Sequence, residues 1–161
     1  ELLKAGADLG IKEIGFNALL SLRLEKSFGI WNAEFTQGYT PAETGMDRWI
    51  DWTKDSFVGS HAASVELNGN GPNRRLVTLE VNADGADASG YEPIWSNDKM
   101  VGFVTSGGYG HTMKKSYAMA LVDTELAKEG TDLTVHIVGV ERKATVIAPS
   151  PYDPSGKAMR G

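Results

Sequence analysis

The sequence predicts a mixed, mainly β chain: a helical N-terminal segment followed by an antiparallel β-barrel of about six strands. Three observations carry this reading. Residues 17–28, "NALLSLRLEKSF", place apolar side chains at helical spacing. From residue 74 onward, short apolar runs with period-two alternation recur between turn residues. Between these regions lies "NGNGPN" at 68–73, a cluster of turn formers that divides the chain into 1–69 and 70–161.

Residues 1–9 read as a helix stopped by Gly10. In the helix over 17–28, Asn17 is the expected N-cap. Leu20, Leu24 and Phe28 share one face, with Arg23, Glu25 and Lys26 expected off it. Residues 29–45 read as irregular, with one short extended piece and turns at Gly38, Pro41 and Gly45. "MDRWIDW" at 46–52 is expected as a short strand and "FVGSHAASVEL" at 57–67 as a short helix.

The barrel strands follow. In "RRLVTLEV", Val77, Leu79 and Val81 form one face. "PIW" and "KMVGFVT" flank Ser96-Asn97-Asp98, a hairpin signal. "SYAMALV" is apolar on both faces. In "LTVHIV", Leu133, Val135 and Ile137 point inward while Thr134 and His136 point out, and "KATVIA" closes the series. "TSGGYGHT" at 105–112 is glycine-rich, but His111, Thr112 and Met113 after Gly110 break the phosphate-loop register. It is expected as a tight connection between strands, with Tyr109 and His111 at the edge of a loop that could line a site.

Charge and composition exclude several functions. A net charge of −5 with mixed signs argues against a nucleic-acid surface. There is no cysteine, so thiolate chemistry and disulfides are out and a reducing compartment is allowed. No stretch reaches the roughly 20 apolar residues of a membrane helix, and no signal peptide opens the chain, so a cytoplasmic location is expected. The three histidines, His61, His111 and His136, lie in different elements without metal-ligand spacing. No G-x-S-x-G elbow supports hydrolase chemistry. The start, "ELLKAGADLG", enters in mid-helix without an initiator Met, so a fragment of a longer protein is expected.

Four stretches in series resemble the glycine-cleavage T-protein (aminomethyltransferase) family. "GFNALLSLRLEKSFGIWNAEFTQGYTPAETGMDRWIDW" resembles its G-x-x-A-x-x-x-L-R-L-E-x-G and P-x-E-x-G segments. "DSFVGSHAA" resembles its F-x-G-x-x-A, "PIWSNDKMVGFVTSGGYGHTMKKSYAMALV" its P-I, G-x-V-T-S-G and A-x-A-x-V, and "APSPYDPSG" its terminal P-x-[FY]-D-P. The wording "LLSLRLEK" is most similar to the dimethylglycine and sarcosine dehydrogenase branch. The resemblance implies the C-terminal part of such a protein: the tail of the folate-binding core, then the family's C-terminal barrel. It implies tetrahydrofolate as cofactor, a methylated amine or sulfonium compound as one-carbon donor, and an upstream domain as partner, with FAD possible further upstream. It also implies that the catalytic Asp and the pterin-holding Glu lie outside this chain, so no catalytic residue is assigned here. The family's folate-contacting helix Arg aligns with Leu19, and an aromatic position aligns with Arg48. Both departures point to a relative with a different substrate.

Five residues are candidates for cofactor binding, each with a structural alternative. Arg23 offers a fork for a carboxylate, or stitches helix to loop with Glu25. Glu43, between Pro41 and Gly45, is carried as a cofactor-binding candidate, or it caps a helix or orders the loop. Trp31, like Trp49 and Trp52, offers a face for a pterin or a methylammonium group, or packs in a core. Arg48 meets an anionic ligand or sits on a strand surface. Tyr109 lines a site or decorates a turn. A second functional reading is a non-catalytic module that braces a folate-binding domain or mediates assembly. The apolar N-terminal helix, if unpartnered, would also favour a homo-oligomer.

Overall fold

A computed structural model describes residues 1–160. The barrel is built from β1 (Arg74–Val81), β2 (Pro93–Ser96), β3 (Lys99–Gly110), β4 (Lys115–Asp123), β5 (Asp132–Ile137) and β6 (Val140–Ile147). All pairings are antiparallel, and the order β1-β4-β3-β2-β5-β6 closes back on β1. Closure leaves no free sheet edge. The inward residues Val77, Leu79, Val81, Ile94, Val104 and Val135 form one buried cluster. Asn97 adopts a left-handed φ of 51°, which makes the two-residue turn between β2 and β3.

"SYAMALV" is apolar on both faces for a visible reason. Ala118, Ala120 and Val122 join the barrel core. The residues between them, Tyr117, Met119 and Leu121, are also buried. On that outer face α2 (Phe16–Glu25) packs across β3 and β4.

The glycines of "TSGGYG" lie inside β3, not in a connection; the turn runs from His111 to Lys114. Their role is close approach. A Cβ at Gly107 would meet the Ala88 carbonyl oxygen at 2.5 Å, and one at Gly110 would meet Tyr117 and Glu25 at 2.8 and 2.9 Å. The strand therefore runs on to Gly110 only because nothing projects there.

The N-terminal segment differs in other ways from the expected pattern. The first helix is split into α1 (Leu2–Ala5) and a 3-10 turn at Ala7–Leu9, ended by Gly10 in the left-handed conformation. Helix α2 begins after Gly15, not Asn17, and buries Arg23, Leu24 and Glu25. The second half of the helix, from Ser21 to Glu25, meets the barrel, so Arg23 and Glu25, two of the three charged residues expected off the apolar face, are enclosed and Phe28 is exposed. Residues 46–52 form no strand. Asp47–Trp49 is a 3-10 turn, since no neighbouring strand is available to pair with. Two further helices, α3 (Pro41–Thr44) and α4 (Ser60–Asn68), complete the segment.

Candidate functional site

Arg23 sits at the centre of a buried polar cluster between α2 and the barrel. Its Nη1 donates to Glu34 Oε2 at 3.2 Å, and the two side chains are 7% and 0% exposed. Glu34 Oε2 also accepts from the Ile30 amide at 3.0 Å. Its Oε1 accepts the Thr105 hydroxyl at 2.6 Å and the Ser106 hydroxyl. A carboxylate with four donors tolerates burial that an unpaired one does not. Burial pulls the Arg23 pKa below its ordinary value, against the raising effect of Glu34. Arg23 Nε, also buried, has no partner.

Glu25, two residues on, holds the β3–β4 turn. Its Oε1 accepts the Met113 amide at 2.7 Å, and its carbonyl accepts the Tyr152 amide at 2.9 Å. The terminal "APSPYDPSG" thereby returns to the end of α2. Ser150 bonds Ser27 Oγ and the Lys26 carbonyl, both at 2.8 Å, and Lys26 Nζ donates to the Asp153 carbonyl at 2.6 Å.

Glu43 closes a capping box on the short helix α3. Thr40 Oγ1 accepts the Glu43 amide at 3.2 Å, and Glu43 Oε2 accepts the Thr40 amide at 2.9 Å. Its other oxygen pairs with Arg74 on β1 at 2.9 Å, and Arg74 in turn lies 5.6 Å from the Tyr39 ring centre. Glu43 thus has both carboxylate oxygens engaged within the fold, and Arg23 its Nη1.

The other three candidates present free surface. Trp31 is 81% exposed and stands edge-on to Phe35, with ring centres 6.5 Å apart. Both line an apolar groove of about 280 Å³ with Tyr39, Thr44 and Met46. Arg48 is exposed, with its guanidinium 5.5 Å from the Trp49 ring centre. It lines a cleft of about 270 Å³ with Thr44, Gly45, Glu129 and Pro149. Thr44 belongs to both hollows, so α3 brings Trp31, Glu43 and Arg48 into one neighbourhood. Tyr109 lies elsewhere, in a groove of about 540 Å³ over the β3–β4 turn. Its carbonyl accepts the Ser21 hydroxyl at 2.7 Å, and its ring stands edge-on to His111.

Sequence reasoning missed Glu34, Thr105 and Ser106. Glu34 lies in an irregular stretch where no periodicity marks it as interior. The Thr-Ser pair was visible within "VTSGG", but its partner was not.

Comparison with known proteins agrees with this architecture. Residues 74–153 match the family described as the glycine cleavage T-protein C-terminal barrel domain. Residues 1–54 match the GCVT N-terminal domain. The chain belongs to the glycine-cleavage T-protein family. It is 36% identical over 146 residues to the mitochondrial dimethylglycine dehydrogenase of Rattus norvegicus, covering 91% of this chain and 17% of that protein. It is 36% identical over 152 residues to the aminomethyltransferase of Acidobacterium capsulatum, covering 94% of this chain and 40% of the relative. Identity alone does not separate these two T-protein branches. The crystal structure of the glycine cleavage system aminomethyltransferase T from Bartonella henselae superposes with a TM-score of 0.83 at 25% identity, over 92% of this chain and 42% of that one. The chain thus spans about a sixth of the first relative and two fifths of the second. No helix among the described residues is long and apolar enough to cross a membrane.

Proposed function

We propose that this chain is the C-terminal part of a tetrahydrofolate-dependent one-carbon transfer protein of the T-protein and dimethylglycine-dehydrogenase type. The observation that carries the reading is the order of the two family matches, 1–54 then 74–153, across a chain that covers most of itself but a minor share of its relatives. Residues 1–69 belong with the folate-binding core and residues 70–161 form the barrel. The one-carbon donor is a small methylated amine or sulfonium compound. An upstream domain of the same protein supplies the acid–base residue, and a flavin domain before it oxidises the donor where the protein is of the dehydrogenase type.

In this reading Trp31, Arg48 and Tyr109 offer direct contacts, because their rings and charge are exposed beside grooves. Arg23 and Glu43 act by position, holding α2 and α3 against the barrel. The residues at α3 suit a planar cofactor with an anionic end: an exposed indole face and a guanidinium flank one short helix. The test is tetrahydrofolate affinity of the chain joined to its upstream domain, measured by calorimetry. Arg48→Ala should weaken binding by about 1.5–3 kcal/mol, the value of a charge-assisted hydrogen bond, or roughly 10- to 150-fold. Arg48→Lys should recover part of that loss, since an ammonium lacks the planar fork. Affinity within twofold of wild type would make Arg48 a surface residue.

The 161-residue chain alone should show no turnover with tetrahydrofolate and dimethylglycine, sarcosine or a sulfonium donor. The second reading, a brace without chemistry, is favoured by the engaged state of Arg23 and Glu43. It expects the joined protein to bind folate equally well when Trp31, Arg48 and Tyr109 are each replaced by Ala.

A further inference from the structure

Asn68-Gly69, Asn70-Gly71 and Asp84-Gly85 each place a glycine after a side chain that ends in a carbonyl one carbon beyond Cβ. In such a pair the glycine nitrogen can attack that carbonyl carbon, because the glycine has no Cβ to hinder the approach. The attack consumes the amide proton. A glycine amide that already donates to a carbonyl within the fold is therefore held back from it.

The fold treats the three pairs differently. The Gly69 amide donates to the Val65 carbonyl at 3.0 Å and the Gly71 amide to the Glu66 carbonyl at 3.1 Å, so both are engaged at the end of α4. The Gly85 amide has no acceptor among the described residues. It lies in the connection between β1 and β2, where Gly85 takes a left-handed φ of 78° and the Asp84 side chain is 89% exposed. A guanidinium also stands at this pair. Arg142 on β6 donates from Nη2 to the Asp84 carbonyl oxygen at 2.9 Å, and its Nη1 lies 3.6 Å from Asp84 Oδ2. Arg142 Nε is buried, so the barrel holds the side chain in place.

We propose that Asp84 is a site of spontaneous isomerisation to isoaspartate, while the fold protects the two asparagine pairs. In the acid form of the side chain, the Gly85 nitrogen bonds to Asp84 Cγ and the C–OH bond breaks. The hydroxyl leaves with the amide proton as water, and a cyclic imide remains. Water then reopens the ring. Addition at Cγ restores aspartate. Addition at the original carbonyl carbon breaks the old peptide bond, and the chain now runs through Cγ. That carbon becomes a free carboxylate, and no atom is gained or lost overall. Arg142 favours this second product, because the new carboxylate forms on the carbon whose oxygen already receives Nη2. The backbone also lengthens by a methylene between Ala83 and Ala86, which both pack against the barrel core, so the connection loosens.

The test incubates the full chain in heavy-oxygen water at about pH 6, where a minor share of an ordinary aspartate carries its proton, and maps its peptides by mass spectrometry. The peptide with Asp84 should gain heavy oxygen and resist a protease that cuts before aspartate at that position. Asn68 and Asn70 should keep their side-chain nitrogen. In urea the order should reverse, because the asparagine pairs lose their amide bonds and need no prior protonation. Arg142→Gln should lower the ratio of isoaspartate to labelled aspartate at residue 84 roughly two- to fivefold in the folded chain, the value of one exposed ion pair, and leave it unchanged in urea. Loss of nitrogen at Asn68 or Asn70 before Asp84 is labelled, the same order of reaction in folded and unfolded chain, or a ratio indifferent to Arg142→Gln each overturns the proposal. The reaction involves neither folate nor donor, so its failure leaves the folate reading standing, and a failed folate titration leaves this site standing.

Discussion

The barrel and the N-terminal segment keep opposite kinds of residue inside. The barrel interior is aliphatic: Leu79, Ile94, Val104, Ala118 and Val135 are buried against one another without a charged neighbour among the core cluster. The N-terminal segment buries Arg23, Glu25, Glu34 and Glu43, while Leu2, Leu9, Phe16 and Leu19 are exposed. A closed sheet satisfies its backbone internally, so apolar burial alone specifies it. The segment has no core of its own. Specific polar contacts attach it to the barrel, and its apolar surface remains available for other structure.

The sharpest way to break this contrast is to remove one partner of a buried charge pair. Glu34→Ala leaves the Arg23 guanidinium enclosed without its carboxylate, and should cost about 3–5 kcal/mol in urea unfolding. Replacing both by apolar residues, Arg23→Met with Glu34→Leu, should restore most of the loss, because no buried charge is then orphaned. A cost below about 1 kcal/mol for Glu34→Ala would mean that water enters and the segment is not locked by this pair.

A paired truncation comes next. Leu79→Ala empties part of the closed barrel, for an expected loss of about 2–5 kcal/mol. Leu9→Ala removes an exposed side chain and should change stability by no more than about 0.5 kcal/mol. Equal effects at the two sites would show that Leu9 is covered in solution, as it would be by a second copy of the chain. Sedimentation of the same samples would show that copy directly.

These expectations also mark where the sequence could be read. Period-two alternation in "RRLVTLEV" and "LTVHIV" depends only on neighbours along the strand, so Val77, Leu79, Leu133 and Val135 were assignable to the interior. The helix "NALLSLRLEKSF" obeyed the same logic and misled. Its face is set by what it packs on, and it meets the barrel through its second half, from the Ser21 hydroxyl to the buried Arg23, Leu24 and Glu25. "MDRWIDW" had the composition of a strand, but pairing is a property of partners and none lies beside it. The glycines of "TSGGYG" announced a constraint without saying which. The constraint is the approach of Ala88 and of Glu25, both far away in sequence. Of the candidate residues, Glu43 could be read as a cap from the spacing Thr40-Pro-Ala-Glu43. The Arg23–Glu34 cluster could not, because its members come from α2, an irregular loop and β3.

A smaller effect concerns how the segment grips β1. Thr40→Ala removes the side-chain half of the capping box on α3, worth about 1 kcal/mol. The Glu43–Arg74 contact loses its anchor with it. Because α3 carries the Trp31 and Arg48 neighbourhood, hydrogen exchange should speed up at residues 39–50 and stay unchanged in β1 through β6. Faster exchange throughout the barrel would mean that the two regions unfold as one unit, and the contrast drawn above would fail.

The smallest effect is a pH dependence, and it comes from the seam between the two regions. Tyr117 lies on the outer face of β4 beneath α2 and is buried. Burial raises its pKa above the ordinary value. The charges of Glu80 and Glu25 add to that, and Lys115 opposes it. Tyr39 is raised as well, mainly by burial. In the unfolded chain a tyrosine loses its proton near pH 10. Between that pH and the higher folded value, the folded state holds more protons than the unfolded one, so stability falls as pH rises. The contribution is intact below about pH 10 and is lost across this alkaline window. Tyr117→Phe has no proton to lose. Its melting temperature should fall less steeply between pH 9.5 and 11.5 than that of the wild type, roughly the span above the unfolded tyrosine pKa. Some slope should remain from Tyr39 and from Lys115, whose pKa is raised by its bond to Glu80. Parallel slopes in the two proteins would mean that the Tyr117 hydroxyl is hydrated in solution and that α2 does not seal the outer face of β4.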